Sequence, residues 1–200
     1  MKRISETINS FPSFIGSWDI ENNNLCNEII RFFEDHPELH TKGELTDGIN
    51  EETKKTTDLP ILPNDLTKQE YSIIKEYMKK LYECYEDYLD IWPFLKNHIN
   101  NIDIGTFQIQ KYNPGDHFQK IHSERTTISV SHRILVWMTY LNDVDDGGNT
   151  FFENYDLKIK PTQGKTLIWP AEWTHAHSGE VLKSGVKYII TGWMNFPYNR

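Results

Sequence analysis

Tyr112-Asn-Pro-Gly-Asp-His-Phe-Gln-Lys-Ile-His122-Ser-Glu124 sets a histidine and a carboxylate two residues apart. On an extended strand, side chains at that spacing point to the same side. A third candidate arrives 53 residues later (177 minus 124), inside Trp169-Pro-Ala-Glu-Trp-Thr-His175-Ala-His177-Ser-Gly179. Two imidazoles and one carboxylate at this wide, uneven spacing can close one face of an octahedral metal and leave its other positions open. Zinc competes for the same ligand types. His175 competes with His177, because both sit in the right segment.

Ten positions after His177, at the end of a turn containing Gly185, Lys187 opens the run Lys187-Tyr-Ile-Ile-Thr-Gly-Trp193. A buried cation there can fix the far carboxylate of a dicarboxylic acid whose other end chelates the metal. A charge-assisted bond of this kind contributes roughly 1.5–3 kcal/mol. The ten-residue interval favours His177 over His175 as the ligand, and alternation would then put His175 on the same face, beside the site.

Helical patterns come first along the chain and strands afterwards. Asn22-Asn23-Asn24 precedes Leu25, Ile29, Ile30, Phe32 and Phe33, an amphipathic helix that stops near His36-Pro37. Residues 40–63 mix Gly43, Gly48, Pro60 and Pro63 with Thr, Lys, Glu and Asp without periodicity, which predicts a charged, mobile loop with short extended pieces. Thr67 and Glu70 form a capping-box signal, and Ile74, Tyr77, Met78, Leu81, Tyr85, Tyr88, Leu89 and Trp92 repeat at helical spacing up to Pro93. From Asp103 the texture becomes short β-rich runs: Thr106 to Tyr112, Ile128 to Leu141, Thr150 to Phe152, Asp156 to Ile159, Lys165 to Trp169 and Tyr188 to Asn195. Strands at such intervals predict a sandwich or jelly roll with the helices packed on one sheet, an α+β chain. Asn142 to Gly148 is the strongest turn.

Composition narrows the function. With 200 residues and 38% hydrophobic content, one well-buried domain is the expected count. A net charge of -8 argues against nucleic acid or an anionic membrane as partner, since both reward clustered Lys and Arg, and leaves a basic peptide compatible. No apolar run follows Met1-Lys-Arg, and none approaches the roughly 20 residues of a membrane span. With only Cys26 and Cys84 there is no disulfide framework. A soluble, cytoplasmic protein is the expectation; oligomeric state is not readable.

At this point the chain resembles the Fe(II)/2-oxoglutarate dioxygenases, and within them the prolyl 4-hydroxylase-like group, over about residues 105–196. The likeness rests on joint order: Tyr112 with Pro114-Gly115, the His122/Glu124 pair, Arg133, Tyr140-Leu-Asn142, Gly147-Gly148-Asn-Thr-Phe151, Gly164 before Leu167-Ile-Trp-Pro170, and His177 with Lys187. It implies a double-stranded β-helix, with helical support over about 20–98 and a catalytic jelly roll over about 103–196 of a single 1–200 domain. It implies Fe(II) on His122, Glu124 and His177, 2-oxoglutarate as cosubstrate held by Lys187 and Tyr140 with Tyr112 and Thr191, and O2; ascorbate is admitted. Trp193 becomes a site wall. The implied reaction hydroxylates an unactivated C–H bond, a prolyl or other residue of a peptide being the family-level substrate and residues 40–63 the loop closing over it.

Two positions depart from the family pattern. Glu124 stands where Asp is usual, adding one methylene and allowing another carboxylate orientation. Lys187 stands where many members carry Arg, giving a point charge instead of a bidentate fork. A small-molecule hydroxylase with the same iron centre is the alternative, favoured by a narrow entrance. A non-catalytic metal-binding β-barrel is more distant and leaves Lys187 unexplained. His36, His40, His98, His117 and His132 keep an ordinary reading, Asp143, Asp145 and Asp146 read as a solvated turn and not a calcium loop, and the tyrosines of 67–92 as core.

Overall fold

Arg133–Tyr140 (β9) divides the protein into two cores. Leu135 and Trp137, with Leu141 beyond the strand, join one hydrophobic cluster, whereas Val136, Met138 and Tyr140 join another. This is the two-residue alternation of a strand buried on both faces, which needs cover on each side. The computed structural model describes residues 1–4, 12–44, 48–99 and 101–197. Among them β9 lies between Lys165–Pro170 (β12) and Lys187–Asn195 (β14) in a nine-stranded antiparallel sheet. Further strands of that sheet are Lys2–Ile4 (β1), Gly16–Asp19 (β2), Thr41–Lys42 (β3), Thr57–Ile61 (β5), Asp103–Ile104 (β6) and Phe107–Tyr112 (β7). Their order is β1-β2-β12-β9-β14-β7-β5-β3, with β6 also on β14. A five-stranded sheet runs β11-β10-β13-β8-β4, from Leu157–Ile159 (β11), Thr150–Phe152 (β10), His177–Gly179 (β13), His117–His122 (β8) and Lys54–Lys55 (β4). Phe152 and Ile159 of the smaller sheet share the second cluster with Leu167, Trp169 and Ile189 of the larger one, so the two sheets enclose it.

The first cluster lies on the other side of the large sheet. Asn23–Asp35 (α1) begins where the Asn22 side chain accepts the Leu25 N–H at 3.1 Å and ends at His36 before Pro37. Leu25, Ile29 and Phe33 of α1 and Ile74, Tyr77, Leu81 and Tyr88 of Ser72–Ile91 (α2) share that cluster with Trp137, Ile168 and Ile190. The Tyr77 hydroxyl meets Thr139 Oγ1 at 2.7 Å, and Thr139 meets Thr166 at 2.6 Å, so the buried hydroxyls satisfy one another. The tyrosines of α2 are core residues. Cys26 and Cys84 are both free and fully buried here, and burial pushes their thiols up, to about 11 and about 12.

The expected capping box does not start α2. Thr67 Oγ1 donates back to the Asn64 carbonyl at 2.7 Å, and Asp65 accepts the Leu62 N–H at 2.9 Å, closing a 3-10 turn over Pro63–Thr67. Local turn chemistry around Pro63 wins, and α2 begins only at Ser72, without a side-chain cap. Beyond Trp92, Pro93–His98 (α3) continues as a short helix with its proline at the first position, where a missing N–H costs nothing.

The strip expected to be mobile over 40–63 contributes strands to both sheets. β5 pairs with β7 from Thr57↔Lys111 to Ile61↔Phe107, and β4 pairs with β8. Lys54 and Asp58 are buried together at 2.6 Å, and Thr56 donates to the same carboxylate at 2.7 Å. Partnered charges conceal themselves in a composition that looks like a solvated loop. Residues 45–47 of this strip lie outside the described residues.

Gly192 sets the approach of β14 to its neighbours: a Cβ there would lie 2.6 Å from Phe107 Cβ and 2.7 Å from the Trp137 ring. Gly192→Ala is expected to destabilise the fold by about 1–3 kcal/mol through overpacking. Urea unfolding should show this as a lowered midpoint at unchanged slope; an unaltered midpoint would contradict the packing.

Candidate metal centre

Strand pairing brings the two histidines together. β13 runs antiparallel to β8 with His177 directly opposite His122, so residues far apart in sequence become cross-strand neighbours. Their rings lie 4.4 Å apart between centroids. His122 Nδ1 faces the Lys120 carbonyl at 2.8 Å and His177 Nδ1 faces the His175 carbonyl at 2.9 Å. A carbonyl only accepts, so each Nδ1 carries a proton, and Nε2 is the ring nitrogen left to face Glu124. Phe118 stacks on His122 at 3.8 Å and 15°, while Phe152 and Trp169 flank His177. These contacts fix the ring planes.

Glu124 does not lie on the strand with His122, contrary to expectation. β8 ends at His122, and Glu124 sits in the bend beyond, its N–H donating to the Ala171 carbonyl at 3.2 Å. The longer side chain still delivers Oε1 to 3.4 Å from His122 Nε2 and 3.6 Å from His177 Nε2. One donor atom from each of His122, Glu124 and His177 falls within 4.8 Å of the others. Its second oxygen accepts the Trp193 indole N–H at 2.9 Å and lies 3.4 Å from Arg133, whose guanidinium also donates to the Glu124 carbonyl at 3.2 Å and covers the Trp193 ring at 3.6 Å. Burial pushes the Glu124 carboxyl up, but the hydrogen bond with His122 and the charges of His122, His177 and Arg133 outweigh it and hold it at about 2. Burial, with His122 adding to it, lowers His177 to about 4. At neutral pH the set is an ionised carboxylate beside a neutral imidazole, both ready to bind a cation without losing a proton. Two nitrogens and one oxygen of this hardness suit a divalent first-row metal.

His175 lies elsewhere. It closes a 3-10 turn over Trp173–His175, and its Nε2 reaches the Ser13 carbonyl at 2.7 Å and the Tyr155 hydroxyl at 3.2 Å. Because a turn and not a strand precedes β13, alternation does not put its side chain on the donor face. Its backbone carbonyl orients His177 instead.

The inner face of β14 carries Lys187, Ile189, Thr191 and Trp193 in alternation, leading from a buried cation to the Glu124 carboxylate. Lys187 is 3% exposed and pairs across the sheet with Tyr112. Its ammonium donates to the Gly148 carbonyl at 3.0 Å and sits 4.0 Å from the Tyr112 ring centroid. Among the described residues no carboxylate lies within salt-bridge reach of it, and burial, offset only in part by Glu180, lowers it to about 7. Gly148 is required twice, by its φ of +66° and because a Cβ would lie 3.3 Å from Lys187 Cδ. Tyr140 donates to Thr150 at 2.6 Å. Tyr112 offers Lys187 its ring face, while its hydroxyl donates to Gln110 at 2.8 Å; Thr191 donates to the Trp137 carbonyl at 2.8 Å. Sequence reasoning did not assign Phe118 its stacking role or Trp193 its bond to Glu124. Phe118 lies four residues before His122 on one strand, and that same-face spacing was the available signal.

Residues 107–195 match the family model of the 2OG-Fe(II) oxygenase superfamily. Prolyl 4-hydroxylase 13 of Arabidopsis thaliana is 27% identical over a match covering 50% of this chain and 44% of its own length, so the chain spans under half of that curated relative. Three solved structures are similar: the viral collagen prolyl hydroxylase of Paramecium Bursaria Chlorella virus-1 as its 2OG complex (TM-score 0.67, 17% identity, 96% of this chain and 100% of that one), a Trichoplax adhaerens prolyl hydroxylase in complex with a hypoxia inducible factor oxygen degradation domain peptide fragment (0.71, 14%, 92% and 84%), and a Pseudomonas putida prolyl-4-hydroxylase (0.70, 13%, 93% and 94%). At such identities the structural likeness carries the fold alone, the double-stranded β-helix.

Lys187 gives the metal-free protein a pH signature. Above about pH 7 the folded chain releases this proton, whereas the unfolded chain keeps it up to the ordinary value of 10.5. The unfolded state then binds more protons, so stability rises with pH between those limits. The melting temperature of the wild type is expected to gain on that of Lys187→Met from pH 7 to 10; parallel curves would mean that the ammonium is not buried.

Proposed function

Because the chain is a prolyl 4-hydroxylase-like member of the 2OG-Fe(II) oxygenase superfamily, we propose that it hydroxylates a C–H bond in a peptide or protein residue, prolyl foremost. The observation that carries this reading is the pairing of the His122, Glu124, His177 donor set with Lys187, a buried cation without a carboxylate partner among the described residues. His122, Glu124 and His177 would hold Fe(II), and Lys187 the far carboxylate of 2-oxoglutarate, with Tyr140 and Thr191 lining the same strands. Fe(II), 2-oxoglutarate and O2 together supply the oxidising power, the keto acid leaving as succinate and CO2 while one oxygen atom enters the substrate C–H bond.

The chain's own residues supply geometry and a dry pocket. Burial lowers Lys187 to about 7, and an arriving dicarboxylate would favour its charged form. Phe118, Phe152 and Trp169 hold the imidazoles in fixed planes and keep water from their outer faces. Residues Arg125, Thr126, Thr127, Ile128, Ser131 and Glu172 line an open surface depression of about 510 Å³, one residue beyond Glu124 in the chain. Ile128 in this lining is 92% exposed. The peptide held by the Trichoplax relative supports a peptide over a metabolite as substrate.

Two measurements test this reading. Incubated with Fe(II), 2-oxoglutarate and a panel of proline-containing peptides, the protein is expected to form succinate in step with a one-oxygen mass gain on a prolyl residue; a gain only on free metabolites would overturn the peptide assignment. Lys187→Ala is expected to weaken 2-oxoglutarate binding by about 10- to 100-fold, the loss of one charge-assisted bond, with Fe(II) affinity changed by less than about 3-fold. Calorimetric titration of each ligand separates the two, and an unchanged 2-oxoglutarate constant would remove Lys187 from the pocket.

A further inference from the structure

Among the described residues, only Glu124 of the donor set departs from the family's usual residue, and its surroundings are built for the extra methylene. Its backbone is pinned at both ends of the residue: the N–H by the Ala171 carbonyl at 3.2 Å and the carbonyl by Arg133 at 3.2 Å. From that fixed start the side chain divides its two oxygens. Oε1 faces the two Nε2 atoms at 3.4 and 3.6 Å, and Oε2 turns away to the Trp193 indole at 2.9 Å and Arg133 at 3.4 Å. The Arg133 guanidinium carbon lies over the indole, 3.6 Å from its centroid, and so packs the ring that donates to Oε2.

We propose that Trp193 and Arg133 are positioning residues that hold Glu124 Oε2 and so commit Glu124 to binding a metal through Oε1 alone. The inference rests on the metal-centre reading above. A freely rotating glutamate on a pinned backbone can offer both oxygens to one ion and fill a position that the cosubstrate needs. Two donors on Oε2 prevent this, since an oxygen already accepting an indole N–H and facing a guanidinium has little left for a second cation. An aspartate at 124 would be one carbon–carbon bond, about 1.5 Å, shorter. It could reach the metal or the indole, not both, so the clamp and the longer side chain belong together.

The experiment is a double-substitution cycle read by metal binding and by the visible spectrum of bound Co(II), with peptide turnover left aside. Trp193→Phe, which keeps a ring under Arg133 and removes only the N–H, is expected to weaken Co(II) affinity by about 10- to 100-fold and to alter its visible bands as the second oxygen becomes available. In the Glu124→Asp background, where Oε2 has no counterpart in reach of the indole, the same substitution is expected to change affinity by less than about 3-fold. Equal losses in both backgrounds, or a Trp193→Phe spectrum identical to wild type, would overturn the clamp, because a packing defect acts alike on Glu and Asp. Arg133→Lys keeps the charge but not the guanidinium over the ring, and should reproduce part of the spectral change; no change there would remove Arg133 from the assignment. Failure of the wild type to bind Co(II), Mn(II) or Fe(II) at all would instead sink the metal-centre reading, and the clamp with it.

Discussion

Two imidazoles and an ionised carboxylate offer donor atoms within 4.8 Å of one another, an arrangement that is favourable only with a cation or a proton among them. The cost of holding them together is met by the strand ladder, because the pairing of β8 with β13 fixes His122 and His177 whether or not an ion is there. The ring planes follow from Phe118 on one side and Phe152 with Trp169 on the other. The larger sheet contributes the opposite charge pattern, a buried ammonium on β14 with a carbonyl and a ring face for company. An anion-seeking half and a cation-seeking half thus face a common interior, each lacking the charge that its own ligand brings.

Much of the architecture was readable from periodicity. The β-rich run that ends at Leu141 and the helical spacing from Ile74 to Tyr88 are strong signals because each is long and apolar enough to require its own element. The start of α2 was not, since Thr67 and Glu70 fit a capping box in the sequence while Pro63 and Asp65 had already closed a tighter turn upstream. The 54–61 segment was misjudged for a related reason. Lys54 and Asp58 look like solvent residues one at a time, and only a neighbour four positions away and a strand 50 residues later make them a buried pair. Local composition does not report long-range neutralisation.

The donor set itself was legible from residue type and interval, because few arrangements other than a metal need two histidines and a carboxylate converging from distant segments. The manner of convergence was not. Glu124 reaches the set from a bend and not from β8, and His175 is turned away by the short 3-10 turn before β13. Both depend on hydrogen bonds to Ala171 and Ser13, which belong to segments that no spacing rule connects to the site. Likewise the aromatic face that Tyr112 gives Lys187, with the hydroxyl spent on Gln110, follows from sheet order and not from the identity of the residue.

The two cysteines carry a practical consequence of their own. Cys26 and Cys84 sit at zero exposure in the helical core, with thiols that burial keeps protonated at neutral pH, and thiolate is the form that attacks an electrophile. A maleimide can therefore reach them only through openings that separate α1 and α2 from the large sheet. The rate of alkylation becomes an intrinsic clock for exposure of that core, and ligands that tighten the fold should slow it without any label having been engineered into the chain.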